Sequence, residues 1–410
     1  MRKPPYHIET SNQPYFSQTS SSPPRAAKRN MSSNPKDDSL ERFKVLVQST
    51  TSVISNIQSY IRDISRNKEP IDSSILLPAS SGSGSGSGSI DVLSLAHDSA
   101  SLIKAHVTKL SLLIINEPFT PSAIGKVLRE LVIGPVPALA SAVQHCAAST
   151  HTDVVRGDLS RKCASVLQEL GRFIETIPLD GKILPDHRKN GANGDKGSIV
   201  HTGIIWAACD DVIRLKGLGI TGLLVKQVEE YRDTLQDVME ELKEWAEEVG
   251  EDVGEDAEGA DPDGEPIAGV LTQDMIDDLM RGQPIPRNDP DRIRERLDSC
   301  LKRLRLTILF YSAIIKRRIK TLPSLPAEQT TPVAQRLNEV YPVLKNLTSH
   351  FEDIACAFYS LDPRDIDRCL DTCFFDAFAA AEMLKAPWTG TQDGFTEWAD
   401  KYQMSIKKPE

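Results

Sequence analysis

Residues 223–249 read LLVKQVEEYRDTLQDVMEELKEWAEEV. Within them Leu224, Val228, Tyr231, Leu235, Val238, Leu242 and Trp245 recur at alternating steps of four and three. That spacing puts the apolar side chains on one face of an α-helix. Lys226, Glu229, Glu230, Arg232 and Glu240 fall largely outside the stripe. A stripe held for three heptads needs other helices to cover it, so this stretch predicts a helix bundle.

The same rhythm recurs on both sides. Phe43, Leu46, Thr50, Val53, Ile57, Tyr60 and Ile64 form one stripe, and Leu159, Cys163, Val166, Leu170, Phe173 and Ile177 a second, ended by Pro178. Downstream lie Leu297, Leu301, Leu304, Ile308, Tyr311 and Ile315, then Val333, Leu337, Val340, Leu344, Leu347, Phe351, Ile354 and Phe358, with Pro342 set to bend the last helix. Further helices are expected over 90–116, with Leu95, Leu102, Val107, Leu110 and Ile114 inward, over 201–216, and in a closing pair over 363–385 and 393–404. A helix over 121–148 must kink or split where Gly134, Pro135 and Pro137 fall, because proline lacks an amide donor and clashes with the preceding turn. No stretch shows the sustained period-two alternation of a strand. The chain reads as all-α, two consecutive antiparallel helix bundles built of long heptad-patterned helices.

Composition divides the chain. Residues 1–37 are rich in Ser, Pro and Asn without apolar periodicity and read as a disordered tail. Residues 38–200 form the expected N-terminal bundle, with a flexible Ser/Gly linker at 78–89, and residues 201–405 the C-terminal bundle, with an acidic disordered loop at 247–270. The balance of 48 Lys plus Arg against 58 Asp plus Glu, net -10, argues against a surface that binds nucleic acid directly. The 7 cysteines are scattered singly from Cys146 to Cys373, so a reducing compartment is expected rather than a disulfide scaffold. The N-terminal stretch lacks the apolar core of a secretory leader. The longest strongly apolar run, 306–315, is about half of the roughly 20 residues a bilayer requires.

Sites of chemistry are sparse. Gly217, Leu218, Gly219, Ile220, Thr221 and Gly222 satisfy G-x-G-x-x-G, but dinucleotide binding needs a strand before that loop and the preceding segment reads as helix. The glycines are expected to break a helix. Cys369 and Cys373 lie one turn apart without a second ligand pair, and neither a G-x-S-x-G nor a Gly-framed Cys occurs, so no metal, cofactor or catalytic residue is expected. Two charged stretches remain. Residues 247–265 hold ten acids and no base, among them Glu247, Glu248, Glu251, Asp252, Glu255 and Asp256, a candidate docking segment. Residues 292–320 hold ten bases, including Lys302, Arg303, Arg305 and the run Lys316, Arg317 and Arg318, and read as a helix basic outside and apolar inside.

The string Thr202, Gly203, Ile204, Ile205, Trp206, Ala207, Ala208, Cys209, Asp210 resembles a hallmark of the cyclin-D-binding protein family, also called GCIP. In that family a T-G-x-[IV]-W-x-A-C-D string precedes a turn and a long acidic heptad helix. The order of helices and acidic loop over about 39–402 is similar too, and the Ser/Gly insertion and extended acidic loop mark a divergent, fungal-like member. The resemblance implies an all-α, non-enzymatic regulator of cell-cycle progression or transcription, cytoplasmic and nuclear, with cyclin-like or helix-loop-helix protein partners. It implies no cofactor. Thr202, Gly203, Trp206, Cys209 and Asp210 are expected to be structural, a tryptophan among small residues packing a helix crossing. The alternative is a vinculin-like adaptor that binds cytoskeletal proteins or anionic membrane surfaces through the basic helix. Oligomeric state is not legible.

Overall fold

A computed structural model of the chain describes residues 35–66, 90–191, 197–247, 284–326, 330–390 and 392–407. The regular structure in them is helix, with no strand among the described residues. In chain order they form α1 (Pro35–Arg66), α2 (Val92–Ile115), α3 (Pro121–Ile133), α4 (Pro135–His145), the single turn α5 (Ala148–His151), α6 (Asp153–Glu175), the short α7 (Asp186–Asn190) and α8 (Ser198–Glu247). Then come α9 (Ile293–Ile314), continued by a π-helical turn at Ile315–Ile319, α10 (Thr331–Tyr359), α11 (Pro363–Lys385) and α12 (Gly394–Ile406). The expected acidic residues Glu248, Glu251, Asp252, Glu255 and Asp256, the linker 78–89 and most of the tail 1–37 lie outside the described residues, while Glu247 is the exposed last residue of α8.

Helix ends follow local chemistry. The helix expected over 121–148 divides at Gly134, with prolines opening both α3 and α4, where a missing amide costs nothing. Asp91 caps α2 by accepting from the Ser94 amide, Asp362 caps α11, and Asp393 and Thr396 form a reciprocal capping box on α12.

The two segments expected over 201–216 and 223–249 form one helix, α8, bent at Gly219, where the backbone takes φ 63° and ψ 179°. This conformation is open almost only to glycine. Ahead of the bend, Thr202 and Trp206 bond to α2. Beyond it, the Leu224 carbonyl accepts from the Tyr341 hydroxyl of α10 at 3.0 Å, and Trp245 packs edge-on against Tyr359 at 5.4 Å. One continuous apolar core therefore runs from Phe43 to Ile406, and the boundary drawn at 200/201 falls in the first turn of the helix that serves both halves. A second tie links α10 to the start of α6: Asn338 donates to the Ala148 carbonyl and accepts from the Asp153 amide at 2.7 Å.

Three details depart from the periodicity reading. The buried stripe of α1 is Phe43, Val47, Thr50, Ile54, Ile57, Ile61 and Ile64, so Leu46, Val53 and Tyr60 sit half-buried at its edge. Steps of 3,4 and of 4,3 share every second position, and only the neighbours of α1 choose between them. Leu102, expected inward, is 52% exposed on the outer side of α2. The helix α9 buries two adjacent stripes rather than one, since it packs against α8, α11 and α12 together. Arg303 falls on the added stripe, and the original stripe continues past Ile315 to Arg318.

Candidate interaction site on α2 and α8

The residues of the Thr202–Asp210 string occupy about two and a half turns of α8 and divide between core and surface. Thr202 and Cys209 are buried. The Thr202 hydroxyl donates to Ser111 Oγ at 3.1 Å and lies 2.9 Å from the Ser198 carbonyl, pinning α8 to α2. Burial pushes the Cys209 thiol up to about 12, so it stays protonated at neutral pH. The same cause raises the thiols of Cys146 and Cys300 to about 12. A nucleophilic thiol needs the opposite shift.

Trp206 corrects the expectation of a packed helix crossing, for it is 39% exposed. Its indole N–H donates to Thr108 Oγ1 at 3.2 Å, which holds the ring on the surface seam between α2 and α8. Asp210, one turn on, accepts from Lys104 Nζ with both carboxylate oxygens, at 2.7 and 2.8 Å. The same ammonium lies 5.9 Å from the centre of the indole, within cation–π range. Gly203 is exposed on the other side of Trp206, and a Cβ there would meet nothing within 4 Å, so no packing demand explains that glycine. Ile199, 49% exposed, continues the same outward stripe of α8, and Leu112, 54% exposed, lies one turn beyond Thr108 on α2. The seam is thus a surface aromatic in a polar clamp, bordered by uncovered apolar side chains.

Lys104, Thr108 and Ser111 were not anticipated as partners of the string. Their signal is present as a polar stripe of steps four and three on α2. What it meets, about 100 residues away, is a matter of tertiary structure.

The basic run on α9 separates. Lys316 and Arg317 are exposed, Arg317 donating to the Gly394 carbonyl at 3.0 Å. Arg318, expected on an interaction surface, is instead 1% exposed. Its guanidinium meets both oxygens of Asp393 at 2.6 and 3.0 Å, donates to the carbonyls of Leu384 and Lys385, and covers the Phe395 ring at 4.2 Å. The pairing holds the Asp393 carboxyl well below its ordinary range. Arg318 therefore ties the end of α9 to α11 and the start of α12. Arg303 is also buried, stacked 3.6 Å over Phe374 and donating to the Ile406 carbonyl. Among the described residues no group of His, Cys, Asp and Glu is arranged to hold a metal ion, and no helix is long and apolar enough to cross a membrane.

Comparison with known proteins fits this geometry. An uncharacterized protein of Schizosaccharomyces pombe is 24% identical over 313 residues, spanning 76% of this chain and 82% of the relative. Residues 96–248 match the family described as Grap2 and cyclin-D-interacting, N-terminal. The matched stretch runs from the first turns of α2 through the end of α8, and so contains both halves of the Trp206 seam. Over that region the chain is similar to the Grap2 and cyclin-D-interacting family.

Proposed function

We propose that the protein is a non-enzymatic regulator that binds a cyclin-like or helix-loop-helix protein, restrains cell-cycle progression or transcription, and works in cytoplasm and nucleus. The observation that carries this reading is that the family match contains an exposed tryptophan, Trp206, on a rigid seam of two helices. Tryptophan is enriched among the residues that dominate protein–protein affinity, because it brings a large apolar area with little side-chain freedom to lose. The ring is held in place before any partner arrives by its bond to Thr108 and by the Lys104–Asp210 pair, which lowers the cost of ordering it on binding.

The adaptor reading rests on the basic helix, which loses Arg303 and Arg318 to the interior but keeps Lys302, Arg305, Lys316 and Arg317 outward. A pull-down from cell extract with the full chain and with Trp206→Ala separates the two. Cyclins or transcription factors captured by the parent and lost with the variant support the regulator. Cytoskeletal proteins or anionic lipids, retained by both, would replace it with the adaptor.

A further inference from the structure

The bend at Gly219 lies beside a groove of about 930 Å³ on the side of α8 that faces the start of α6, a second surface within the matched region and separate from the Trp206 stripe. Three helical stripes meet there. Val154, Asp158, Arg161 and Lys162 come from α6; Asp211, Arg214, Leu215 and Leu218 precede the bend on α8, and Leu223, Lys226, Gln227 and Glu230 follow it. Each set is spaced by three and four, so each is one helix face turned toward the same trough. A trough walled by three helix faces suits a helical segment, which can lay one stripe along all of them.

The chemistry of the lining narrows the occupant. Val154, Ile213, Leu218 and Leu223 make an apolar floor, and Leu218 is 44% exposed among the described residues. The rim is cationic. Arg161, Lys162, Arg214, Lys216 and Lys226 face three carboxylates in the lining. Asp158 serves both Arg161 and Lys162, Asp211 pairs with Arg214, and Glu230 stands 3.7 Å from Lys226. None of the three is left for Lys216, which lies near the bend with His97 on the α2 side; the counter-charge it meets is outside the lining, the Asp91 carboxylate at the start of α2. The surplus is positive in a chain whose net charge is -10. An apolar floor with a cationic rim matches an amphipathic helix whose apolar stripe is flanked by carboxylates, recognised in the helix-in-groove manner.

We propose that the groove at the α8 bend is a docking site for an acidic amphipathic helix of a partner protein. Leu218 and Leu223 receive its apolar stripe and Lys216, Arg214 and Lys226 its flanking carboxylates.

The test uses the full chain and two fluorescein-labelled helical peptides of about 18 residues, roughly 27 Å long. Both carry Leu at i, i+3, i+4 and i+7; one is flanked by Glu and the other by Lys. Fluorescence anisotropy should show saturable binding of the Glu peptide, weakening as salt is raised, with the Lys peptide at least about tenfold weaker. Lys216→Glu and Leu218→Asp, both at exposed positions, should each weaken the Glu peptide several-fold while circular dichroism stays that of the parent. No saturable binding of the Glu peptide, equal binding of both peptides, or binding untouched by the two substitutions would overturn the proposal. Inorganic tripolyphosphate binding with the same sensitivity to Lys216→Glu but not to Leu218→Asp would give the groove to a small anion. Peptide binding seen only after deletion of residues 248–265 would give it to the chain's own acidic segment.

Discussion

The two halves of the molecule each contain a Lys/Arg–Asp pair that joins helices distant in sequence, and the pairs differ in kind. Lys104 and Asp210 link α2 to α8 with side chains 34% and 41% exposed, beside a surface tryptophan. Arg318 and Asp393 link α9 to α12 with the arginine 1% exposed and its donors also satisfied by the carbonyls of Leu384 and Lys385. Charge in the open clamps a side chain on display, at little gain in stability, because water screens it. A buried charge has given up its hydration, so each of its partners becomes indispensable. The N-terminal half shows its polar junction to solvent; the C-terminal half uses a comparable junction as part of its core.

Breaking the buried junction should have the largest effect. Asp393→Ala removes both the α12 cap and the counter-charge of Arg318, and should cost about 3 kcal/mol, the lower end of the range for orphaned buried charges because Asp393 itself is partly exposed. A thermal melt unchanged from the parent would place Arg318 in solvent and erase the contrast. Arg318→Met together with Asp393→Asn should recover part of the loss, since replacing both charges leaves none unpaired.

Gly219→Ala comes next, at about 1–3 kcal/mol, the cost of forcing a side-chain-bearing residue into that backbone region. A Cβ at Gly219 would meet nothing within 4 Å, so backbone conformation alone sets the cost. A variant as stable as the parent would mean that α8 can straighten without disturbing either half.

The pH dependence sharpens the comparison at the junction of α5 and α6. Burial lowers the pKa of His151, with its Nδ1 2.9 Å from the Thr150 hydroxyl. The folded state therefore prefers the neutral ring. As pH falls through about 6.5, the unfolded chain takes up the proton first, so stability present above that pH is lost below it. Melting temperatures recorded from pH 7.5 to about 5.5 should fall for the parent and less steeply for His151→Gln.

The smallest expected change in stability is at the open junction. Lys104→Met should alter it by about 1 kcal/mol or less, yet should weaken capture of partners through Trp206 by releasing Asp210 and loosening the clamp around the ring. Chemical denaturation beside a pull-down tests both parts, and a loss of several kcal/mol would make this junction structural like the other.

Much of this architecture is legible in local spacing. Leu224 to Trp245 announces the helix that joins the halves, and Gly134 with Pro135 announces the split between α3 and α4, because period and backbone capability are properties of neighbouring residues. Within the Thr202–Asp210 string, the resemblance pointed to the right helix and took Trp206 as packed; exposure depends on how closely α2 approaches, which no residue of the string encodes.

Sequence by itself determined that the chain is helical, where its helices break and which turn of α8 carries the family's string, since these rest on contacts within a few residues. Tertiary structure alone decided that α1 turns Val47, Ile54 and Ile61 inward rather than Leu46, Val53 and Tyr60, and that Arg318 enters the core while Lys316 and Arg317 stay out. The same 3,4 rhythm fits adjacent faces equally well, and a charge can be buried only where another part of the chain, here Asp393 and two carbonyls at the end of α11, is brought to meet it.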